Sequence, residues 1–162
     1  MMKKILALSA CALALSGCSA MTTMSSSAPK GAVSIYQRQQ VTTLDLPKTE
    51  TYPTTSFGNY EFKATGEGKQ PLYGLLPLKF NGGYVAADIL FFAPALFFNL
   101  REVYPLYDFD LDKGVVRYRL KDTDNWTEYK PTQPEAERAR SHIDFAASQP
   151  AAEAAPVKTG SN

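Results

Sequence analysis

The feature that most constrains the fold of this chain is a pair of alternating segments in its second half. Residues 104–111 and 115–120 alternate between apolar and polar side chains and are rich in tyrosine, phenylalanine, leucine and valine. A short turn ending at Gly114 joins them, and glycine adopts the positive φ of a tight turn at no steric cost. The pattern predicts a β-hairpin, and residues 125–129 predict a third strand of the same meander.

Two further strands are predicted in the first half of the chain. Residues 33–41 carry β-forming side chains in imperfect alternation, and residues 59–64 place Tyr60 and Phe62 on one face of a short strand. Residues 47–58 between them are polar and rich in turn-forming residues, which predicts a loop.

The centre of the chain is almost entirely apolar. Within residues 84–104, every position from Ile89 to Phe98 is apolar, and the alanine, leucine and phenylalanine content favours helix. Pro94 should divide this segment into two short helices, because proline removes one helical hydrogen bond. The uninterrupted apolar length is about half of the roughly 20 residues that span a bilayer. We therefore expect a core helix pair or a helix on a membrane surface, rather than a spanning helix.

A polar helix is predicted near the C-terminal end of the domain. Thr132, followed three residues later by Glu135, has the pattern of a capping box, and the helix should continue to about residue 146. Together these elements predict a single α+β domain over residues 33–147. In it, a small antiparallel meander is covered by the apolar helices, and the polar helix packs at one edge.

The first residues of the chain have the layout of an export signal. Two lysines precede an apolar run over residues 5–15, which is too short to span a bilayer. The run ends in Leu15-Ser16-Gly17-Cys18, which resembles the lipobox of bacterial lipoproteins; the alternative is an ordinary signal peptide cut after small residues.

The lipobox resemblance implies the processing and the address of the protein. Residues 1–17 would be removed as a lipoprotein signal peptide, and Cys18 would receive a diacylglyceryl group and usually a further acyl chain such as palmitate. Two or three chains hold a protein on a bilayer, whereas one gives only reversible binding. Ser19 follows the cysteine where aspartate would favour the inner membrane. The resemblance therefore implies anchoring to the outer membrane, facing the periplasm.

Processing also limits the chemistry available to the mature protein. Cys11 leaves with the signal peptide and Cys18 is lipidated, so no free thiol remains for a disulfide, a metal or a nucleophile. The 17 basic and 16 acidic residues of the whole chain give no charge excess that indicates nucleic acid. Residues 18–32 and 148–162 are polar and small in composition, which predicts a flexible tether and a disordered tail.

The hairpin aspartates resemble a calcium-binding loop only in outline. Asp108, Asp110 and Asp112 precede a glycine, but Arg119 occupies the position where an EF-hand has its glutamate. The alternation predicts that these aspartates line the solvent face of the hairpin, and no metal site is expected.

Two other titratable residues, His142 and Asp88, are weaker candidates for a functional role. His142 is expected to be solvated on the polar helix, with no serine or cysteine of known proximity to complete a nucleophilic triad. Asp88 lies inside the apolar segment, so it should cap a helix, point out of the domain or meet a partner such as Arg101 or Arg117.

The Gly-Gly-Tyr, Tyr-Pro-Leu-Tyr-Asp-Phe-Asp and Val-Arg-Tyr-Arg segments resemble the small envelope lipoproteins of Gram-negative bacteria, a class that supplies no activity to carry over. The sequence thus predicts a non-catalytic protein without a cofactor, anchored through Cys18, that binds or supports another envelope component. The alternative is a binder of a lipid or another apolar ligand, with contacts from four phenylalanines of the central segment: Phe91, Phe92, Phe97 and Phe98.

Overall fold

A computed structural model describes residues 19–53, 60–80 and 101–148. The described residues form eleven strands and one helix: β1 Ser19–Ser26, β2 Ala32–Gln37, β3 Gln40–Asp45, β4 Lys48–Pro53, β5 Glu61–Thr65, β6 Leu72–Leu75, β7 Leu78–Phe80, β8 Arg101–Val103, β9 Leu106–Asp110, β10 Val115–Arg119, β11 Thr127–Tyr129 and α1 Gln133–Ser148.

The strands form two sheets and a ribbon. One sheet has five strands in the order β11-β10-β9-β1-β4, the other has four in the order β3-β2-β5-β6, and β7 pairs with β8. All pairings are antiparallel except that of β1 with β9, which is parallel. The two sheets pack face to face, since the rings of Phe62 in β5 and Phe109 in β9 have their centroids 5.2 Å apart.

The core between the sheets follows from the alternation of each strand. Side chains at every second position point inward, where burial of apolar surface is the main source of stability. Met24, Val33, Phe62, Phe109 and Val116 are all fully buried there, and they come from strands of both sheets.

The helix packs on the outer face of the four-stranded sheet. Ala139 and Ile143 of α1 are buried against Tyr73, with Tyr36 and Val41 beside them. The prediction of an α+β fold with antiparallel sheet is confirmed. Two sheets stand in place of one, and the polar helix lies across a sheet face rather than at an edge. The apolar helices expected to cover the sheet fall almost entirely outside the described residues, whose one helix is α1.

The predicted meander is confirmed. Strands β9 and β10 pair antiparallel with Phe109 opposite Val116, and β11 adds to β10 with Tyr129 opposite Val116. Gly114 in the turn has φ 65°, which is the left-handed conformation that glycine permits. The glutamate half of the capping box is also present, because the Glu135 carboxylate accepts the backbone N–H of Thr132 at 2.8 Å.

The structure differs from the prediction of a flexible tether over residues 18–32. Residues 19–26 form β1, an interior strand of the five-stranded sheet with β4 on one side and β9 on the other. Thr22 and Met24 point inward and are fully buried. A segment with few apolar groups can still form such a strand, because both neighbouring strands satisfy its backbone hydrogen bonds.

Two other predicted segments have a different structure. Residues 33–41 are not one strand but the β2–β3 hairpin, in which Gln37 pairs with Gln40. Much of the predicted loop over residues 47–58 is β4, whose polar side chains suit an edge strand. The predicted strand over residues 59–64 corresponds to β5.

The central segment is described only at its end. Residues 101–103 were expected to belong to a helix but form β8, paired with β7. Residues 84–100, which include Asp88, Pro94 and the four candidate phenylalanines, lie outside the described residues, as do the proposed signal peptide and residues 149–162. Among the described residues, no helix is long and apolar enough to cross a membrane.

Candidate functional site

The first strand defines where the chain enters the sandwich. Ser19 pairs with Pro53, the last residue of β4. Beyond the far end of β1, the backbone N–H of Glu67 donates to the carbonyl of Pro29 at 2.9 Å, so β5 ends near the place where β1 ends. Strands β1 and β5 therefore run in the same direction. Both begin at one end of the sandwich, which we call the N-terminal end.

The turn between β2 and β3 lies at the N-terminal end as well. Tyr36 of β2 pairs with Glu61, the first residue of β5, and the turn follows immediately. Its two central residues, Arg38 and Gln39, have φ angles of 49° and 65°. This is the geometry of a type I′ hairpin turn, which ordinarily has asparagine or glycine at these positions.

The β7–β8 ribbon also extends toward the N-terminal end. Strand β9 runs parallel to β1, so β8, which precedes β9, lies nearer the start of β1 and contacts both β1 and β4. Phe80 pairs with Arg101 at the far tip of the ribbon. Residues 81–100 consequently leave and re-enter the described structure at two adjacent backbone positions.

A cavity of about 270 Å³ opens at the N-terminal end, between the β2–β3 hairpin and β4. Its lining includes Ile35 and Tyr52, which are 2% and 8% exposed, and several glutamine and threonine side chains. Arg38 and Glu50 contribute one positive and one negative charge to the same lining. The cavity therefore combines an apolar base with a polar rim that carries one positive and one negative charge.

The wall behind the cavity holds buried polar groups. The ring of Tyr60 meets that of Tyr52 edge to face, with centroids 5.2 Å apart. Both Tyr60 and Thr22 are fully buried, and neither hydroxyl has a hydrogen-bond partner among the described residues. Burial, together with the Glu50 carboxylate and Tyr60, raises the pKa of Tyr52 well above its usual value.

The aspartates of the hairpin are placed differently from the prediction. Asp108 and Asp110 are both only 7% exposed, so the expectation of a solvent face is wrong for them. Arg117 Nε donates to Asp108 at 3.0 Å and Ser25 Oγ at 2.8 Å, and the carboxylate raises the pKa of Arg117. Asp108 stands between Ser25 of β1 and Arg117 of β10, its pairing partners in the two neighbouring strands, and these side chains enclose its carboxylate.

The other contacts of the hairpin aspartates hold the turn and the surface near it. Asp110 accepts the backbone N–H of Lys113 at 3.0 Å, and the exposed Asp112 forms an ion pair with Lys69. The described residues contain no group of side chains that could hold a metal ion.

His142 is exposed on the polar helix, as expected, but it also contacts a carboxylate. Its Nδ1 lies 2.7 Å from the carboxylate of Glu61, which is almost fully buried and also pairs with Arg138 Nε at 3.1 Å. The imidazole packs on Tyr36, with ring centroids 5.3 Å apart. Within the described part of the chain this cluster joins α1 to the four-stranded sheet.

A second polar contact holds the same helix. Asp144 accepts a hydrogen bond from Lys63 Nζ at 2.8 Å and another from the Tyr73 hydroxyl. The Lys63 ammonium, aided by Tyr73, lowers the pKa of Asp144. Both polar clusters of α1 therefore fasten the helix to the sheet.

Trp126, just before β11, also contacts charged side chains. The Arg119 guanidinium lies 4.2 Å from the centre of the Trp126 ring and donates to Asp122 at 2.8 Å. The Arg117 guanidinium lies 5.8 Å from the centre of the same ring. These contacts link the end of β10 to the segment that leads into β11.

The residues predicted to carry function all lie outside the described residues. Cys18 precedes the first described residue, Ser19, and the four candidate phenylalanines lie between Phe80 and Arg101. Of the partners considered for Asp88, Arg117 is engaged by Asp108 and Arg101 is part of β8. The structure thus brings the flanks of both predicted sites to the N-terminal end.

The cavity at this end was not foreseen. Its charged residues belong to a hairpin that was interpreted as one strand and to a strand that was interpreted as a loop. The only sequence signal was the absence of turn-forming residues at Arg38 and Gln39. Comparison with protein-family models, with curated proteins and with solved structures found no match for this chain.

Proposed function

We propose that this protein is a non-catalytic lipoprotein of the outer membrane, whose domain lies directly on the periplasmic face of the bilayer and there binds or supports another envelope component. The observation that carries the proposal is the position of β1. The strand begins at Ser19, next to the cysteine of the lipobox, and is an interior strand of the sheet.

The absence of a spacer has a geometric consequence. One residue spans at most about 3.6 Å, so acylation of Cys18 would hold the first residue of β1 within a few ångströms of the membrane surface. The backbone pairs of Ser19 with Pro53 on β4 and of Thr23 with Leu106 on β9 keep the strand from swinging out. The lipid would then set the orientation of the domain, with the N-terminal end toward the bilayer.

The apolar central segment supports the same orientation. Residues 81–100 leave from the tip of the β7–β8 ribbon, at the end that carries Ser19. We expect part of this segment to touch the membrane surface or to cover the sheets near it. The alternative function, binding of a lipid or apolar ligand by Phe91, Phe92, Phe97 and Phe98, stays a prediction because these residues lie outside the described part.

A non-catalytic role agrees with how the polar clusters are used. Glu61 with His142 and Asp144 with Lys63 hold the helix, and Asp108 with Arg117 holds neighbouring strands of one sheet. Each cluster has a structural task that accounts for its charges.

The experiment measures anchoring and orientation separately. Metabolic labelling with palmitate, followed by membrane fractionation, should mark the parent protein and not the Cys18→Ala variant. For orientation, single thiols are introduced into the lipidated protein at exposed positions at opposite ends of the sandwich, Gln39→Cys and Glu67→Cys. A fluorophore at residue 39 should be quenched by spin-labelled lipids, and one at residue 67 should not.

Each readout has an outcome that contradicts the proposal. Absence of acyl label on the parent would remove the lipid anchor. Equal quenching at both positions, with the label present, would leave an anchored protein without the proposed orientation. Continued membrane association of a Cys18→Ala variant that lacks residues 1–17 would instead assign membrane contact to residues 84–100.

A further inference from the structure

The cavity at the N-terminal end is the feature that the anchoring proposal leaves unused. We propose that it binds the headgroup of a zwitterionic phospholipid of the anchoring membrane, with the phosphate at Arg38 and the ammonium group at Glu50. This inference rests on the proposed function for the source of the lipid, while the chemistry of the cavity stands independently of it.

The two charges of the cavity are available for a ligand. In the described part of the chain, neither the Arg38 guanidinium nor the Glu50 carboxylate forms an ion pair. They nevertheless line the same cavity, from the hairpin on one side and from β4 on the other. A ligand with separated positive and negative groups can meet both charges at once, whereas a simple anion meets Glu50 as a like charge.

The size and the lining of the cavity favour a headgroup over an acyl chain. Its volume of about 270 Å³ is slightly below the range of about 300–1,000 Å³ that encloses whole drug-sized ligands. Glutamine and threonine side chains form much of its rim, and only Ile35 and Tyr52 give a buried apolar base. Acyl chains of the bound lipid would therefore stay in the bilayer.

The position of the cavity indicates which molecule would occupy it. Pro53 lines it and is the backbone partner of Ser19, the residue that follows the lipidated cysteine. With the N-terminal end toward the bilayer, headgroups are the molecules that the opening meets at high local concentration.

The hairpin turn gives a second, independent indication. Arg38 and Gln39 both have positive φ, although neither is glycine, asparagine or aspartate. Side chains other than glycine, asparagine and aspartate rarely adopt this left-handed conformation, because their Cβ crowds the backbone. The turn holds Arg38 at the mouth of the cavity, where asparagine or glycine would suit the backbone better.

The test uses lipidated protein purified in a neutral maltoside detergent. It is titrated with short-chain phosphatidylethanolamine and, separately, with short-chain phosphatidylglycerol, and binding is followed by chemical-shift changes of the labelled protein. The parent should bind the ethanolamine lipid more tightly. Free phosphoethanolamine should compete for the site, and stronger binding of the whole lipid would identify the membrane as its source.

Two variants separate the roles of the charges. Glu50→Gln should bring the two lipids to similar affinity, because the ammonium partner is lost. Arg38→Gln should weaken both by about tenfold or more, since a charge-assisted phosphate contact is lost, and Arg38→Lys should recover part of the affinity. Lys48→Gln, at the opposite end of β4, is the matched control and should change neither.

The outcomes are distinct from those of the anchoring proposal. Equal affinity of the parent for the two lipids, or unchanged binding in both Arg38→Gln and Glu50→Gln, would overturn the inference. If the chain carries no acyl label but the unlipidated protein still prefers the ethanolamine headgroup through these residues, the cavity is a headgroup site and the anchor is wrong.

Discussion

Met24 provides the sharpest test of whether the chain is structured from Ser19 onward. Its side chain is fully buried between the sheets, on the inward face of β1. Met21 is on the opposite face of the same strand and is 66% exposed. A flexible tether would tolerate substitution equally at both positions, whereas an interior strand would not.

The expected cost follows from the burial. Truncation of a fully buried methionine to alanine removes apolar contacts and leaves a cavity, which costs about 2–5 kcal/mol in well-packed cores. For Met24→Ala we expect a loss of about 3 kcal/mol in the free energy of unfolding. With a urea slope of about 2 kcal/mol per M for a domain of this size, the midpoint should fall by about 1.5 M.

The assay is urea unfolding of the mature chain with Cys18→Ala, followed by tyrosine and tryptophan fluorescence. Met21→Ala is the matched control and should change the free energy of unfolding by less than about 0.5 kcal/mol. If both substitutions fall within that limit, residues 19–26 are not part of the core. A direct connection between the proposed lipid anchor and the sheet would then be refuted.

Three further outcomes follow from the contacts described above. Arg117→Met should cost about 2–3 kcal/mol in urea unfolding, because the buried Asp108 carboxylate loses its guanidinium partner. Gly74→Ala should cost about 1–3 kcal/mol, since an added Cβ would lie 2.6 Å from the ring of Pro131. Asp144→Asn should cost less than about 0.5 kcal/mol at pH 7, because the ion pair is partly exposed, and progressively less as the pH is lowered.

The sign of the last effect comes from the lowered pKa of Asp144. A carboxylate whose pKa is lower in the folded state stabilises the protein above its unfolded pKa, which is ordinarily near 3.8, and loses that contribution as the pH falls through the folded pKa. A pH series of parent and Asp144→Asn unfolding measures this directly. A difference that grows on acidification would contradict the assignment.

Controls for the other two substitutions are available in the same chain. Gly114→Ala introduces strain from a φ of 65° but no close contact, so it should cost about 1 kcal/mol, less than Gly74→Ala. A double-mutant cycle of Arg117→Met with Asp108→Asn should give a coupling free energy above about 1 kcal/mol. A coupling near zero would mean that the pair does not stabilise the sheet.

Local sequence patterns were sufficient to predict the elements whose structure is decided by residues close together in the chain. The β9–β10 hairpin is specified by alternation and by Gly114, because neighbouring strands pair through a turn that only certain residues permit. The helix at Thr132 is specified by its capping box, because its first hydrogen bonds are made within four residues. The predicted export signal and the segment that resembles a lipobox are likewise contiguous in the sequence.

Tertiary structure decided everything that depends on distant neighbours. Residues 19–26 are polar enough to be taken for a tether, and only pairing with β4 and β9 makes them an interior strand. The same pairing buries Asp108, whose place in an alternating strand had indicated solvent. Glu61 and His142 meet across most of the domain, and no sequence spacing indicates that contact.

The sequence by itself thus determined the hairpin, the final helix and a predicted lipid address, each encoded over a few consecutive residues. The tertiary structure decided that Ser19, the residue after this predicted address, begins an interior strand of a sheet, and that Arg38 and Glu50 share a cavity at the same end. The physical reason is that burial and charge pairing are set by side chains far apart in the chain, which local periodicity does not record.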